Sequence, residues 1–361
     1  MQFKDYLAKL PTFRPPAAAG PRPANLARMS ANENPIGPSP KAVAAMHEAI
    51  NHVNRYPDPG SWPLRHALGA HFGLPGEHVI CTNGSDELIF MICFAFLREG
   101  DEAVMADGSF ISYTMRTASM GGQSIRVPLR DYAHDLDAMA DAITGQTRLV
   151  FLCNPNNPTG TVVGSDAIAK FLDRVPEDTL IVADEAYIEF MEGGDTPDLV
   201  AEVAKGRRNL IVLRTFAKIY GLAGLRLGYA FGHPDVIAYL DRARTVFNVN
   251  MLAQVAGPAA LKDTEHIQRV RAHAAHWRQR YTEELRAMDL EPIPSATNFM
   301  AVKVGDDAAV AKGLMERGIA VNPIGGWGVP GHIRISFGTD EENERFFAAL
   351  REVMQQARVS A

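Results

Sequence analysis

The residues best able to do chemistry in this chain stand where its apolar runs stop. "VICTN" leads into Gly84, Ser85 and Asp86, and "VFLCN" leads into Asn156 and Asn157. "LIVA" ends at Asp184, and "LIVLR" is followed shortly by Lys218. Each has an ordinary explanation taken alone. Ser85 can cap a helix, with Asp86 favouring its positive end. Asn157 lies in "PNNPTG", which is rich in turn formers. Asp184 can be a loop or capping aspartate, and Lys218 can cover apolar surface with its stem while its ammonium reaches water. In an open α/β sheet, however, ligands bind outside the carboxyl ends of the strands. An amine, a carboxylate, an amide and a helix start converging on one such edge are poorly explained by separate coincidences.

A pyridoxal phosphate site needs this set. The cofactor's aldehyde needs a lysine amine for a Schiff base, and an apolar surround keeps that amine nucleophilic. Its pyridine nitrogen needs a carboxylate to hold the proton that makes the ring an electron sink. Its phosphate needs backbone N–H groups at a helix start, with hydroxyls and an arginine. Its ring hydroxyl needs a neutral donor, a role suited to an asparagine amide.

The elements that must position these residues are legible as alternation. From about residue 41, short β-branched runs alternate with helical patterns, the mark of a mostly parallel sheet covered on both faces. "HVICTNG" reads as a strand entering a helix over 85–97. "RLVFLCN" is a strand running into a turn, and a helix follows at about 166–173. "LIVADEAY" is a strand over 180–187, and the next covers 209–214. A charged helix occupies about 263–288. After it come shorter strands, "NFMAVKV", "GIAVNP" and "HIRISFG", and a last helix from about 340 with Thr339 as its cap. These form a smaller α+β lobe. The segment "PTFRPPAAAGPRP", 11–23, reads as an extended arm. We therefore expect an arm at 1–30, a large cofactor-binding domain at 31–250 and a small domain at 251–361, with the first residues of the large domain packing on the small one.

Composition excludes several other classes. A chain of 361 residues with 47% hydrophobic and 22% charged residues can bury a large core. Its net charge of −6, with only "KGRR" as a basic run, disfavours nucleic acid and anionic membranes. The longest apolar run, "LIFMICFAFL", is too short to span a bilayer, and the N-terminus lacks a signal-peptide pattern. Three cysteines without metal spacing suggest reduced thiols in a cytoplasm. The two histidines of "HAAH" lie in a charged helix without an acidic partner motif and read as surface residues rather than metal ligands.

"NPNNPTG" (154–160), "DEAYIEF" (184–190) and "TFAKIYGLAGLRLGY" (215–229) resemble the class I/II, fold-type I aminotransferases. The closest resemblance is to the histidinol-phosphate aminotransferase family. "ANENPIGPSP" (31–40), "NRYPD" (54–58), "NGSDELI" (83–89) and "IRISFGT" (333–339) fit the same family in the same order. The resemblance implies a large domain built on a mostly parallel seven-stranded sheet flanked by helices, plus the small α+β domain. It implies that Lys218 forms the Schiff base and then moves the proton between Cα and C4′. By the same resemblance, Asp184 pairs with the pyridinium nitrogen, Asn157 and Tyr187 bond the ring hydroxyl, and Phe110 stacks on the ring. Gly84, Ser85 and Asp86 hold the phosphate with Thr215 and Arg226. Tyr56 reaches the phosphate of the neighbouring subunit, so each site needs a homodimer. Arg334 grips the substrate anion, with Asn34 and Asn322 beside the substrate.

Three positions depart from the family pattern. Ala217 stands where serine usually precedes the lysine. Phe13 stands in the arm where a tyrosine is common. Val321-Asn322-Pro323 replaces valine-arginine-proline. The expected reaction is transamination from histidinol phosphate to 2-oxoglutarate, with aromatic amino acids as alternative donors. A threonine-phosphate decarboxylase on a similar scaffold is a weaker reading. A non-catalytic regulator module is weaker still, since no DNA-binding domain precedes "ANENP".

Overall fold

The apolar runs that end at the candidate residues form the middle of one seven-stranded sheet. Its strands are β1 (Val79–Thr82), β2 (Glu102–Asp107), β3 (Gln123–Pro128), β4 (Thr147–Cys153), β5 (Leu180–Asp184), β6 (Leu210–Thr215) and β7 (Gly228–Gly232). Across the sheet they run β1-β7-β6-β5-β4-β2-β3. Strands β2 to β6 pair in parallel, whereas β7 is antiparallel to both β6 and β1. The computed structural model describes residues 1, 3–11, 25–191, 193, 195 and 197–360. Phe13 and the rest of residues 12–24 of the expected arm lie outside them.

The central strands are apolar along their whole length because helices cover both faces. Leu210, Ile211, Val212 and Leu213 are all fully buried. The covering helices show the complementary pattern. In Ser165–Arg174, Ile168, Phe171 and Leu172 are buried at helical spacing. The strand expected over 180–187 stops at Asp184, where the chain turns into the short 3₁₀ helix Ile188–Phe190.

The antiparallel β7 matters for the site. Its amino end lies at the same edge of the sheet as the carboxyl ends of β4, β5 and β6. The turn that precedes it therefore brings Arg226 to the edge where Asp184 and Lys218 emerge.

The small lobe contains a three-stranded antiparallel sheet of Phe299–Lys303, His332–Ser336 and Asn322–Pro323, with His332–Ser336 in the centre. The helix Thr264–Ala287 packs a stripe of Val270, Ala274, Trp277, Tyr281 and Leu285 inward. His273 from "HAAH" meets the Gly338 carbonyl at 3.0 Å. The last helix, Asp340–Ser360, starts with a reciprocal cap: Glu342 N donates to Thr339 Oγ1 and Thr339 N donates to Glu342 Oε2.

"GIAVNP", expected as one strand, is two. Ile319–Ala320 pairs in parallel with Ala27–Arg28, and Asn322–Pro323 joins the edge of the three-stranded sheet. Pro323 has no N–H to give a further neighbour, which suits an edge position. The pairing of Ala27–Arg28 fastens the chain's beginning to the small lobe, and Asn32 continues the attachment by donating its N–H to Ser336 Oγ at 2.7 Å.

Candidate active site

The carboxyl edge of the sheet and the small lobe enclose a cavity of about 620 Å³. Ser85, Asp86, Phe110, Asn157, Asp184, Tyr187, Thr215, Lys218 and Arg226 line it from the large lobe, with Asn322, Trp327 and Arg334 opposite. The volume lies in the range usual for small-ligand sites.

Lys218 follows β6, and its Nζ approaches the carbonyls of Ala31 and Asn32 at 3.2 and 3.4 Å. It also lies 5.5 Å from the centre of the Tyr187 ring. Loss of hydration, then the repulsion of Arg334 and Arg226, lower its pKa from 10.5 to about 8, against the opposing pull of Glu33 and Asp184. The surroundings favour a free amine.

Asp184 is buried at the end of β5. Tyr113 Oη donates to its Oδ2 at 2.7 Å, and the Ala186 N–H donates to its Oδ1 at 3.1 Å. Burial raises its pKa above the usual carboxylate value, while these two hydrogen bonds and Lys218 oppose the rise. A cationic ring nitrogen is the partner such a buried carboxylate lacks.

The anion cradle is built on glycine. Gly84 has a φ of +83°, and a Cβ there would lie 2.5 Å from Arg226 Nη2. A Cβ on Gly228 would lie 2.4 Å from Ser85 N. Only bare backbone at both positions lets β7, Arg226 and the start of the helix Ser85–Phe96 come together. The first N–H groups of that helix have no intrahelical acceptors. Arg226 forms no ion pair among the described residues, its guanidinium meeting the Ala223 carbonyl at 3.1 Å. Free N–H groups, a serine hydroxyl and an unpaired guanidinium fit a phosphate. The carboxylate of Asp86 is engaged elsewhere, by Arg116 and Ser112. Its contribution is therefore its N–H and its charge in the first helical turn. The Thr215 hydroxyl also has local partners, the Leu227 carbonyl and the Ala217 N–H.

Phe110 lines the cavity above Tyr113, with ring centres 5.6 Å apart and nearly perpendicular. Tyr187 is buried; its Oη accepts from Asn32 Nδ2 at 2.8 Å, and burial raises its pKa. Asn157 Oδ1 accepts from Arg334 Nη1, while Arg334 Nη2 donates to the Ser30 carbonyl. Arg334 is almost fully buried between the Phe299 and Trp327 rings, 5.5 and 5.3 Å from its guanidinium carbon. Burial lowers its pKa, and its buried Nε has no partner. An anion is the ligand that this arrangement lacks. Asn322 lines the cavity in register with Arg334 on the neighbouring strand.

Two predicted residues lie elsewhere. Asn34 turns its amide to the carbonyls of Ile219 and Lys218, at 3.0 and 3.4 Å, and so ties the lysine's loop to the segment "ANENP". Within "ANENP" it is Asn32, not Asn34, that reaches the cavity. Tyr56 is 81% exposed and stacks on Phe247 at 4.5 Å, away from this chain's own cavity. Sequence reasoning missed Tyr113, Asn32, Ser336 and Trp327. Tyr113 carries a weak signal, since it follows Phe110 by three residues at the start of a helix. Ser336 acts through Asn32, which no spacing reveals.

This geometry is that of a fold-type I enzyme built around a lysine, an aspartate and an anion cradle. The sequence pattern described as "Aminotransferase class I and II" matches residues 24–350, and the chain belongs to that family. It is 44% identical to the histidinol-phosphate aminotransferase of Moorella thermoacetica, over 91% of this chain and 85% of that one. It is 43% identical to histidinol-phosphate aminotransferase 2 of Ralstonia nicotianae, over 94% and 91% of the two chains. Among solved structures, the Sinorhizobium meliloti histidinol-phosphate aminotransferase in complex with pyridoxal-5'-phosphate superposes with a TM-score of 0.91 at 32% identity, covering 99% of this chain and 98% of that one. A Thermus thermophilus aspartate aminotransferase variant shares the fold, with a TM-score of 0.84 at 22% identity over 98% and 99% of the chains.

Proposed function

We propose that this protein is a pyridoxal phosphate-dependent aminotransferase that transfers the amino group of histidinol phosphate to 2-oxoglutarate. The observation that carries the reading is the opening of Lys218, Asp184 and Arg334 into one cavity beside the Gly84–Ser85 cradle. The activity named for the relatives at 43–44% identity supports the choice of substrate.

A bound cofactor would supply an aldehyde for amine chemistry and a protonated ring as an electron sink. The residues of the chain do the rest. Asp184 holds the proton on the ring nitrogen, and Tyr113 keeps that carboxylate ionised and oriented. Lys218, which gives up its proton more readily than an ordinary lysine, would carry the cofactor at rest and would afterwards move the proton from the substrate Cα. Asn157 and Tyr187 would hold the ring hydroxyl, and Phe110 would cover the ring, since all three line the cavity. Ser85, the N–H groups around Gly84 and Asp86, and Arg226 take the phosphate, with Thr215 fixing the turn beneath it. Arg334 takes the substrate's anion, either the phosphate of histidinol phosphate or a carboxylate of glutamate. One cation serving both half-reactions requires that the two substrates occupy the cavity in turn.

The assembly is a homodimer in this reading, with Tyr56 completing the partner's phosphate site. The working compartment is the cytoplasm. The three free cysteines are buried, their pKa values raised to about 12 chiefly by burial, which suits a reducing environment. Among the described residues no helix is long and apolar enough to cross a membrane.

The test is a panel of amine donors with 2-oxoglutarate as acceptor: histidinol phosphate, phenylalanine, tyrosine and tryptophan. Glutamate should form fastest from histidinol phosphate. Release of carbon dioxide without glutamate, or activity with the aromatic amino acids alone, would sink the reading.

A further inference from the structure

Among the described residues, three aromatic side chains line the cavity: Phe110, Tyr187 and Trp327. The first two flank the place of the cofactor ring. The third, Trp327, has no such place assigned to it. It comes from the small lobe, on the 3₁₀ turn Gly325–Trp327, and lies 5.3 Å from the guanidinium carbon of Arg334. Its ring centre is 6.3 Å from that of Phe110, tilted by 53°, so the two rings form an apolar corner between the lobes.

This corner is held firmly. Gly325 N donates to Asp307 Oδ2 at 2.7 Å on one side of the turn. On the other side Gly328 has a φ of +98°, and a Cβ there would lie 2.2 Å from Asp107 Oδ1 and 2.6 Å from Gly108 N. Val329 packs nearby, its Cγ2 lying 3.1 Å from where a Cβ on Gly108 would stand. The backbone that follows Trp327 thus seats against the large lobe two residues before Phe110. A side chain fixed in this way presents a surface of set shape to whatever Arg334 binds.

We propose that Trp327 is a specificity-determining residue, the wall against which a planar ring of the amino donor packs while Arg334 holds the donor's anionic group. The proposal rests on the aminotransferase reading and names the donor class: amines that carry both an aromatic ring and an anion. Other small-lobe residues lining the cavity, Asn322 and Arg334, are polar, so Trp327 is the apolar surface that this lobe offers such a ring.

The test uses binding as well as turnover, on the cofactor-loaded enzyme. The probes are two unreactive acids, 3-phenylpropionate, which has a ring, and glutarate, which has none. Their dissociation constants are measured for wild type, Trp327→Phe and Trp327→Leu by the change in the cofactor's visible band. A stacked ring is worth about a three- to tenfold change in affinity. Trp327→Leu should therefore weaken 3-phenylpropionate by that factor relative to glutarate, and Trp327→Phe should restore most of it. In turnover the same loss should appear in KM for histidinol phosphate relative to glutamate, with a smaller change in kcat. Equal weakening of both acids would mean that Trp327 only positions Arg334, and would overturn the proposal. So would unchanged binding of 3-phenylpropionate, or its failure to bind to wild type. Binding and turnover fail separately: a wild type that transaminates none of the donors overturns the aminotransferase reading, while a selective loss of 3-phenylpropionate in Trp327→Leu still supports the ring wall.

Discussion

Tyr113 donates its phenolic proton to Asp184 Oδ2 across 2.7 Å, from a side chain that stacks on Phe151 with ring centres 4.6 Å apart. The phenol is buried, and burial together with the Asp184 charge raises its pKa, so it stays a donor at any working pH. It is one of two groups that oppose the rise in Asp184 pKa by hydrogen bonding. Tyr113→Phe should leave the fold intact but let Asp184 hold a proton of its own more readily. A hydrogen bond to a charged group is worth about 1.5–3 kcal/mol, so kcat should fall on the order of tenfold or more. The acidic limb of the pH–rate profile should move to higher pH. Asp184→Asn should cost more, because it removes the charge itself. A Tyr113→Phe enzyme with the wild-type pH profile would show that the backbone N–H of Ala186 suffices.

Lys218 makes a prediction in pH. Its pKa in the folded chain is about 8, against an ordinary 10.5. The rate at which cofactor-free protein captures pyridoxal phosphate should rise with pH and level off above about 8. The linkage has a definite sign. Between about 8 and 10.5 the unfolded chain binds more protons at this site than the folded one, so the lysine's contribution to stability rises with pH across that window. Lys218→Ala should bind the cofactor without the covalent link, lose the borohydride-fixed label, and lose transamination by several orders of magnitude. Capture that is already maximal at pH 6, or a fixed label on another peptide, would contradict the assignment.

The exposed Tyr56–Phe247 stack points to a different measurement. Tyr56 keeps 81% of its surface exposed, and Phe247 holds a φ of +58° beside it. If Tyr56 reaches the partner's cofactor, Tyr56→Phe should weaken cofactor retention on dialysis several-fold while thermal unfolding of the cofactor-free protein changes little. Sedimentation should show a dimer at assay concentration. An active, strictly monomeric enzyme would end the shared-site interpretation.

How much of this was legible in the sequence depended on whether a residue acts along the chain or across it. Asp184, Lys218 and Ser85 stand beside the apolar runs that place them, so their position could be read from pattern. The strand containing Arg334 was also readable from "HIRISFG", although its alternation of apolar and polar residues does not reveal that both of its faces are buried. Asn34 was chosen over Asn32 because nothing local tells them apart. The difference is set by Ser336, more than 300 positions away, which accepts the Asn32 N–H and donates to its side chain. Tyr113 is a core residue whose single polar atom is what matters, and no pattern along the chain marks that atom out. "GIAVNP" looked like one strand because strand propensity does not report that two different sheets claim its halves.

The substitution Asn322→Arg tests where substrate choice resides. Asn322 and Arg334 are direct partners in the antiparallel pair, so their side chains leave the same face of the sheet, and both line the cavity. An arginine at 322 would place a second guanidinium beside one that is already buried and short of a partner at Nε. Like charges in directly opposed positions destabilise a sheet. The variant should therefore melt slightly below wild type in a buffer free of multivalent anions, and inorganic phosphate should restore more of its stability than of the wild type's. With histidinol phosphate the second cation finds its counter-ion. A charge-assisted hydrogen bond of about 1.5–3 kcal/mol predicts a gain in kcat/KM of roughly tenfold or more. Phenylalanine carries only a carboxylate, which Arg334 alone can clamp with both nitrogens, so its kcat/KM should gain little. The ratio of the two specificity constants is the decisive quantity. If it stays at the wild-type value while phosphate protects both proteins equally, position 322 does not meet the substrate's anion, and discrimination between phosphate and carboxylate lies elsewhere in the cavity.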